Sequence, residues 1–111
     1  MWWLKNLYLG ESVRGKEKEI RRKLRTNAGI LGVHILSISL QPEEMIDIFP
    51  AALLKQRAFP RDELRVFGLA GSWEEALSML RGIAEETMEA TGDADMRSFL
   101  DAKEYRRSRS F

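Results

Sequence analysis

A strand, a glycine turn and a long helix follow one another in residues 64–92, and this order constrains the fold more than any other feature of the chain. Residues 64–70 read Leu-Arg-Val-Phe-Gly-Leu-Ala, a short apolar run typical of a buried strand. After Gly71, apolar residues recur at helical spacing until Gly92, where a helix is expected to end. The segment therefore favours an α/β fold over an all-helical one.

The start of this helix has a capping box. Ser72 and Glu75 are three residues apart, so each side chain is expected to accept a hydrogen bond from the other residue's backbone N–H. One broad face of the helix is apolar at helical spacing. That face consists of Trp73, Ala76, Leu77, Leu80, Ile83, Ala84, Thr87 and Met88.

Two more strands are predicted. Residues 2–9 are rich in aromatic and aliphatic side chains and end at Gly10, and a strand there places Trp2 and Trp3 on opposite faces. Residues 31–40 are so densely apolar that we expect a central strand covered on both faces.

Helices are predicted between these strands. A narrow apolar stripe over residues 12–28 predicts a helix capped by Ser12 and stopped by Gly29, although part of it also alternates like a strand. Residues 41–49 begin with Gln-Pro-Glu-Glu, which favours a second helix with Pro42 in its first turn.

We therefore expect one small α/β domain over residues 1–102, with the order β-α-β-α-β-α and a three-stranded, largely parallel sheet covered by helices. Asp93 is expected to cap the last helix. Residues 103–111 are expected to form a mobile basic tail. Two exposed edges on so narrow a sheet call for protective charge, strand addition by a second copy, or helix packing across a twofold axis.

Charge is segregated along the chain. Residues 1–27 carry eight lysine and arginine residues against three glutamates, residues 28–102 carry six against thirteen acidic residues, and residues 103–111 carry four against one. This pattern indicates either a basic binding surface or segments that neutralise one another within the fold or between subunits.

Three segments carry a resemblance. Residues 8–12 (Tyr-Leu-Gly-Glu-Ser), 68–76 (Gly-Leu-Ala-Gly-Ser-Trp-Glu-Glu-Ala) and 91–100 resemble a group of small bacterial proteins of uncharacterised function, over nearly the whole chain. The resemblance implies an α/β layout and brings no activity, substrate or functional residue with it.

Composition excludes several classes of chemistry. The chain has no cysteine, so disulfides, thiolate catalysis and cysteine-based metal sites are ruled out. The apolar start lacks the pattern of a signal peptide, and no stretch approaches the roughly 20 apolar residues that span a bilayer. A cytoplasmic protein with no membrane partner is the default expectation.

Two candidate binding sites emerge. In parallel α/β sheets, ligands bind where strands end and helices begin, so an anionic small molecule is expected to contact Gly10, Ser12, Gly71, Ser72 and Trp73, unless these residues only form ordinary turns and caps. A nucleic-acid backbone is expected to contact Arg14, Lys18, Arg21, Arg22, Lys23 and Arg25, unless this interleaved charge run is a solvated or self-associating face.

No catalytic constellation is found. His34 is the one histidine and lies in an apolar strand, where a structural role is commoner than general-base chemistry. Neither a metal site nor a cofactor is predicted, since no ligand motif is present. The preferred hypothesis is a noncatalytic, self-associating interaction or regulatory module that forms a homodimer, and the alternative is a binding protein for an anionic ligand.

Overall fold

In the part of the chain that the structure describes, five strands form one mixed sheet. The computed structural model describes residues 1–26 and 32–107. In these ranges the strands are β1 (Trp2–Leu9), β2 (His34–Ile38), β3 (Ile46–Pro50), β4 (Arg65–Ala70) and β5 (Tyr105–Arg107), and the helices are α1 (Glu17–Arg25), α2 (Trp73–Thr91) and α3 (Met96–Asp101). The strand order is β3-β2-β4-β1-β5.

The expected three-stranded, largely parallel sheet is wrong. Among the described strands only β1 and β4 pair in parallel, whereas the β2–β3, β2–β4 and β1–β5 pairs are antiparallel. The three predicted strands do form the centre of the sheet, in the order β2-β4-β1. They are not mainly parallel because the crossover helix expected after β2 does not form, and the chain turns back instead.

Residues 46–50 form a strand rather than part of a helix. The turn before β3 is closed by hydrogen bonds from the N–H of Ser39 to the carbonyl of Met45 (3.2 Å) and from the N–H of Glu44 to the carbonyl of Gln41 (3.0 Å). The apolar residues at 46, 48 and 49 fit either period, and pairing with β2 satisfies the backbone of both strands while burying Phe49.

The first helix is shorter than expected. Gly15 has a φ of +81°, a conformation that glycine adopts without strain, and it separates a 3₁₀ turn at Glu11–Val13 from α1. Ser12 therefore lies in the 3₁₀ turn and does not cap α1. The predicted stop at Gly29 lies outside the described residues.

Helices cover both faces of the sheet. On the α1 face, Ile20 and Leu24 pack with Trp3, Ile35 and Val66. On the α2 face, which α3 also covers, a second cluster packs around the fully buried Phe67. That cluster includes Leu4, Leu36, Ile38, Ala70, Ala76, Ile83 and Leu100.

The end of the chain adds the fifth strand. Tyr105 pairs with Leu4 of β1 and is half-buried, and burial raises the pKa of its hydroxyl to about 12. The described part of the predicted basic tail thus includes an edge strand. Asp95, rather than Asp93, caps α3 by accepting a hydrogen bond from the N–H of Ser98 at 3.1 Å.

Candidate functional site

The two strand-to-helix turns meet around the carboxylate of Glu75. Its Oε1 accepts hydrogen bonds from the N–H of Gly71 and the hydroxyl of Ser12, each at 2.7 Å, and its Oε2 accepts one from the N–H of Ser12 at 3.2 Å. One side chain of α2 therefore joins the turn after β1 to the turn after β4. We call Gly10, Ser12, Gly71 and Glu75 the glycine-turn cluster.

Only half of the predicted capping box forms. The N–H of Glu75 donates to the hydroxyl of Ser72 at 3.1 Å, as expected. The Glu75 side chain, however, bonds Gly71 and Ser12 instead of returning to the backbone of Ser72. The box motif alone could not show this, because the residue that competes for the carboxylate is 63 positions away.

The glycines of the cluster make room for this carboxylate. A Cβ atom on Gly10 would overlap the carboxylate of Glu75, and one on Gly71 would overlap the hydroxyl of Ser12. The hydrogen bonds from Gly71 and then from Ser12 lower the pKa of Glu75 below its ordinary value of 4.5. An internal anion thus holds the place that the sequence assigns to an anionic ligand.

The predicted ligand residues come together only in part. Gly10, Ser12, Gly71 and Ser72 lie around or next to Glu75, whereas Trp73 is 47% exposed. A ligand there stays a prediction, and the geometry favours a structural role for the cluster.

The predicted nucleic-acid residues divide into two groups. Arg21 pairs with Glu17 at 3.4 Å and Lys23 pairs with Glu19 at 3.2 Å. The guanidinium of Arg21 also lies 4.7 Å from the ring centre of Trp3. The remaining cations are exposed, namely Arg14, Lys18, Arg22 and Arg25.

The two covered faces of the sheet carry opposite charge. On the α1 face, residues 11–25 contain seven lysine and arginine residues and three glutamates. On the α2 face, residues 73–101 contain two arginines and eight acidic residues. The segregation seen along the sequence thus becomes a separation across the molecule.

The apolar face of α2 is divided between the core and the surface. Ala76, Ile83 and Thr87 are buried against the sheet. The other apolar residues form a stripe beside them, in which the three largest exposed side chains, Trp73, Leu77 and Met88, are 38–49% exposed. We call Trp73, Leu77, Leu80, Ala84 and Met88 the α2 stripe. Helical spacing alone does not show how much of such a face the sheet covers.

The α2 stripe faces the β2–β3 side of the molecule. The hydroxyl of Tyr8 in β1 donates a hydrogen bond to Glu86 at 2.7 Å, so that flank of α2 lies toward β1. At about 100° per residue, the position of Glu86 is rotated about 80° around the helix axis to one side of the buried residues, and the centre of the stripe is rotated about 80° to the other side. The edge strand β3 lies on this second side.

Both edges of the sheet carry features that oppose strand addition. In β3, Ile48 packs on the α2 face and Phe49 on the α1 face, so the alternation places the charged Asp47 on the α1 face, and Pro50 ends the strand. At the other edge, the described part of β5 has three residues, of which Arg106 and Arg107 are exposed. Charge and proline at an edge strand are features that oppose pairing with another chain.

A polar hollow of about 470 Å³ lies beside β1. There, the pairing register shifts: Tyr8 lies five residues after Trp3 in β1, whereas their partners in β4 are two residues apart. The extra residues make β1 bulge away from β4. The hollow is lined by Tyr8 and Glu86, which bond each other, and by Lys5 and Glu104, which lie 3.6 Å apart. Its polar groups are largely satisfied by one another.

No reactive centre appears in the described ranges. His34 is partly buried, its Nδ1 has no hydrogen-bond partner there, and no hydrogen bond joins it to a serine. Within those ranges, no group of three or more histidine, aspartate or glutamate side chains is placed to hold a metal ion. Nor does any helix of residues 1–26 or 32–107 have the length and apolar content to cross a membrane.

The fold and these surfaces define a mixed α/β domain with a charged helix on one side and a partly exposed apolar helix on the other. No family model, no curated protein and no solved structure matches the chain.

Proposed function

We propose that this protein is a noncatalytic interaction module that self-associates through the α2 stripe. The observation that carries the proposal is the row of large apolar side chains, Trp73, Leu77 and Met88, exposed along one side of one helix. Contiguous apolar surface of this kind marks interaction sites in soluble proteins. The charged or proline-ended sheet edges favour helix packing over strand addition as the mode of association.

A second copy of the chain suits this stripe. In an antiparallel pair of α2 helices related by a twofold axis, Trp73 of one copy faces Met88 of the other, and Leu77 faces Ala84. Trp73 then meets a flexible side chain and Leu77 a small one, which is an arrangement that packs without voids. The stripe is one side of a helix about 28 Å long and about 10 Å across, so its area is on the order of 300 Å². A standard interface buries more, roughly 800 Å² per partner. We therefore expect a weak dimer.

The test is the mass of stripe variants in solution. Leu77→Gln combined with Met88→Gln replaces two exposed side chains and leaves the core untouched. Glu85→Gln combined with Glu89→Gln is the matched control, because it puts the same residue at two exposed positions of the same helix. Sedimentation velocity from about 10 to 500 µM covers dissociation constants on the scale of a weak dimer.

We expect the first variant to sediment as a monomer and the control to associate like the wild type. Association that survives in the Leu77→Gln, Met88→Gln variant would show that another surface is responsible. Circular dichroism of both variants shows whether the fold is intact.

A further inference from the structure

The outward face of α1 is a row of positive charge. Ile20 and Leu24 are buried, and Lys18, Arg22 and Arg25 lie on the opposite side of the helix, where all three are exposed. Their spacing of four and three residues places them on one line. We call these three residues the basic crest.

The glutamates of α1 do not neutralise this crest. Glu17 pairs with Arg21 and Glu19 with Lys23, at the two sides of the helix. In the described part of the chain, the crest residues make no ion pair within 4.0 Å. The interleaved acidic residues, which in the sequence suggest a balanced face, thus leave a continuous cationic row.

We infer that the basic crest binds the phosphate backbone of double-stranded nucleic acid. The crest spans about 10 Å along the axis of α1, at 1.5 Å per residue. Along the axis of a duplex, one strand carries a phosphate about every 3.4 Å. Three cations therefore match about three phosphates. The acidic residues of α2 and α3 on the opposite face repel the same ligand, so binding is confined to the α1 face.

Two features of α1 favour a duplex over other polyanions. The exposed residues of the helix include no aromatic side chain, and stacking on such side chains is how proteins hold single strands. The apolar residues Ile20 and Leu24 are buried in the core, so they are not available for insertion into a lipid surface, as an interfacial membrane helix requires. The crest is thus suited to contacts with phosphate alone, without reading of base sequence.

The experiment is fluorescence anisotropy with a labelled 20-base-pair DNA duplex of arbitrary sequence and an RNA duplex of the same length, at 50 and 200 mM salt. The test variant carries Lys18→Gln, Arg22→Gln and Arg25→Gln. The matched control carries Lys5→Gln, Arg81→Gln and Lys103→Gln, which removes the same charge from positions outside α1. Vesicles containing anionic lipid provide a third probe.

We expect duplex binding by the wild type to weaken about 40-fold between the two salt concentrations, since three phosphate contacts give a slope near 2.7 in log–log form. The test variant should lose more than tenfold in affinity at 50 mM salt, while the control changes less than threefold. The inference would be overturned if the test and control variants lost equal affinity for the duplex. It would also be overturned if the folded wild type did not bind the duplex at 50 mM salt. Crest-dependent binding to vesicles without binding to duplexes would overturn it as well. The crest lies on α1, so these outcomes are independent of association through α2.

Discussion

Replacing Gly10 with alanine is a sensitive test of the glycine-turn cluster, because the result depends on a residue far away in sequence. The backbone of Gly10 has φ −65° and ψ 153°, which alanine adopts without strain. The new Cβ would nevertheless overlap the carboxylate of Glu75 and displace it from Gly71 and Ser12.

The magnitude follows from what is displaced. The three hydrogen bonds to Glu75 together contribute about 2 kcal/mol, after a discount for their partial exposure to solvent. Because alanine restricts the unfolded chain more than glycine does, the substitution also stabilises the protein by about 0.5 kcal/mol, which offsets part of that loss. Gly10→Ala should therefore destabilise the wild type by about 1.5 kcal/mol.

Gly10→Ala should stabilise the protein, rather than destabilise it, when Glu75 has already been replaced by alanine. In that background no carboxylate is displaced, and only the gain of about 0.5 kcal/mol remains. The coupling energy between the two positions is then about 2 kcal/mol. Urea unfolding of the four variants at pH 7, followed by circular dichroism, measures it.

Gly82→Ala is the control for this cycle, because Gly82 lies in α2 with no atom near its missing Cβ. It should stabilise both backgrounds by about the same 0.5–1 kcal/mol. The contrary outcome is that Gly10→Ala lowers the free energy of unfolding equally in the wild type and in the Glu75→Ala background. In that case the carboxylate is not what requires glycine at position 10, and the reasoning about the cluster is refuted.

Three further predictions concern the same framework. Glu75 has a lower pKa in the folded chain than its ordinary value of 4.5, so the stability that its ionised form contributes is present above about pH 4.5 and is lost as the pH falls through the folded pKa. In urea unfolding, the difference in unfolding free energy between wild type and Glu75→Gln should therefore shrink from pH 7 to pH 3. A difference that does not change with pH would contradict this. Ser72→Ala removes the acceptor for the N–H of Glu75 and should cost about 1 kcal/mol in the same assay, whereas no loss would mean that water caps α2 equally well. Phe67→Ala leaves a cavity at a fully buried site and should cost about 3–5 kcal/mol, and a cost below 1 kcal/mol would place this ring outside the core.

The elements predicted correctly are those whose signals are local. β4 and α2 were expected within residues 64–92, and they form with Ser72 as the N-cap and Gly92 in the left-handed conformation as the C-cap. Capping side chains and a terminal glycine act within one helical turn, so the sequence alone contains the required information.

The errors come from interactions between distant segments. The apolar residues of 46–49 fit a helix and a strand equally well, and pairing with β2 decides for the strand. Glu75 leaves its expected partner for Ser12, which belongs to another turn. The apolar face of α2 is wider than the sheet surface that covers it, which the helix pattern cannot reveal. The sheet topology and the division of the α2 face between core and surface could not be predicted for this common reason.

The most direct test of self-association through the α2 stripe is the mass of the protein in solution, measured by light scattering behind a sizing column at low salt and at about 1 M salt, where the Debye length is only about 3 Å. An apolar interface predicts a mass that rises with concentration toward twice the 12.8 kDa of one chain at both salt concentrations. A dimer that dissociates at high salt would instead indicate pairing of the basic α1 face with the acidic α2 face, and a monomer at every concentration would contradict self-association altogether.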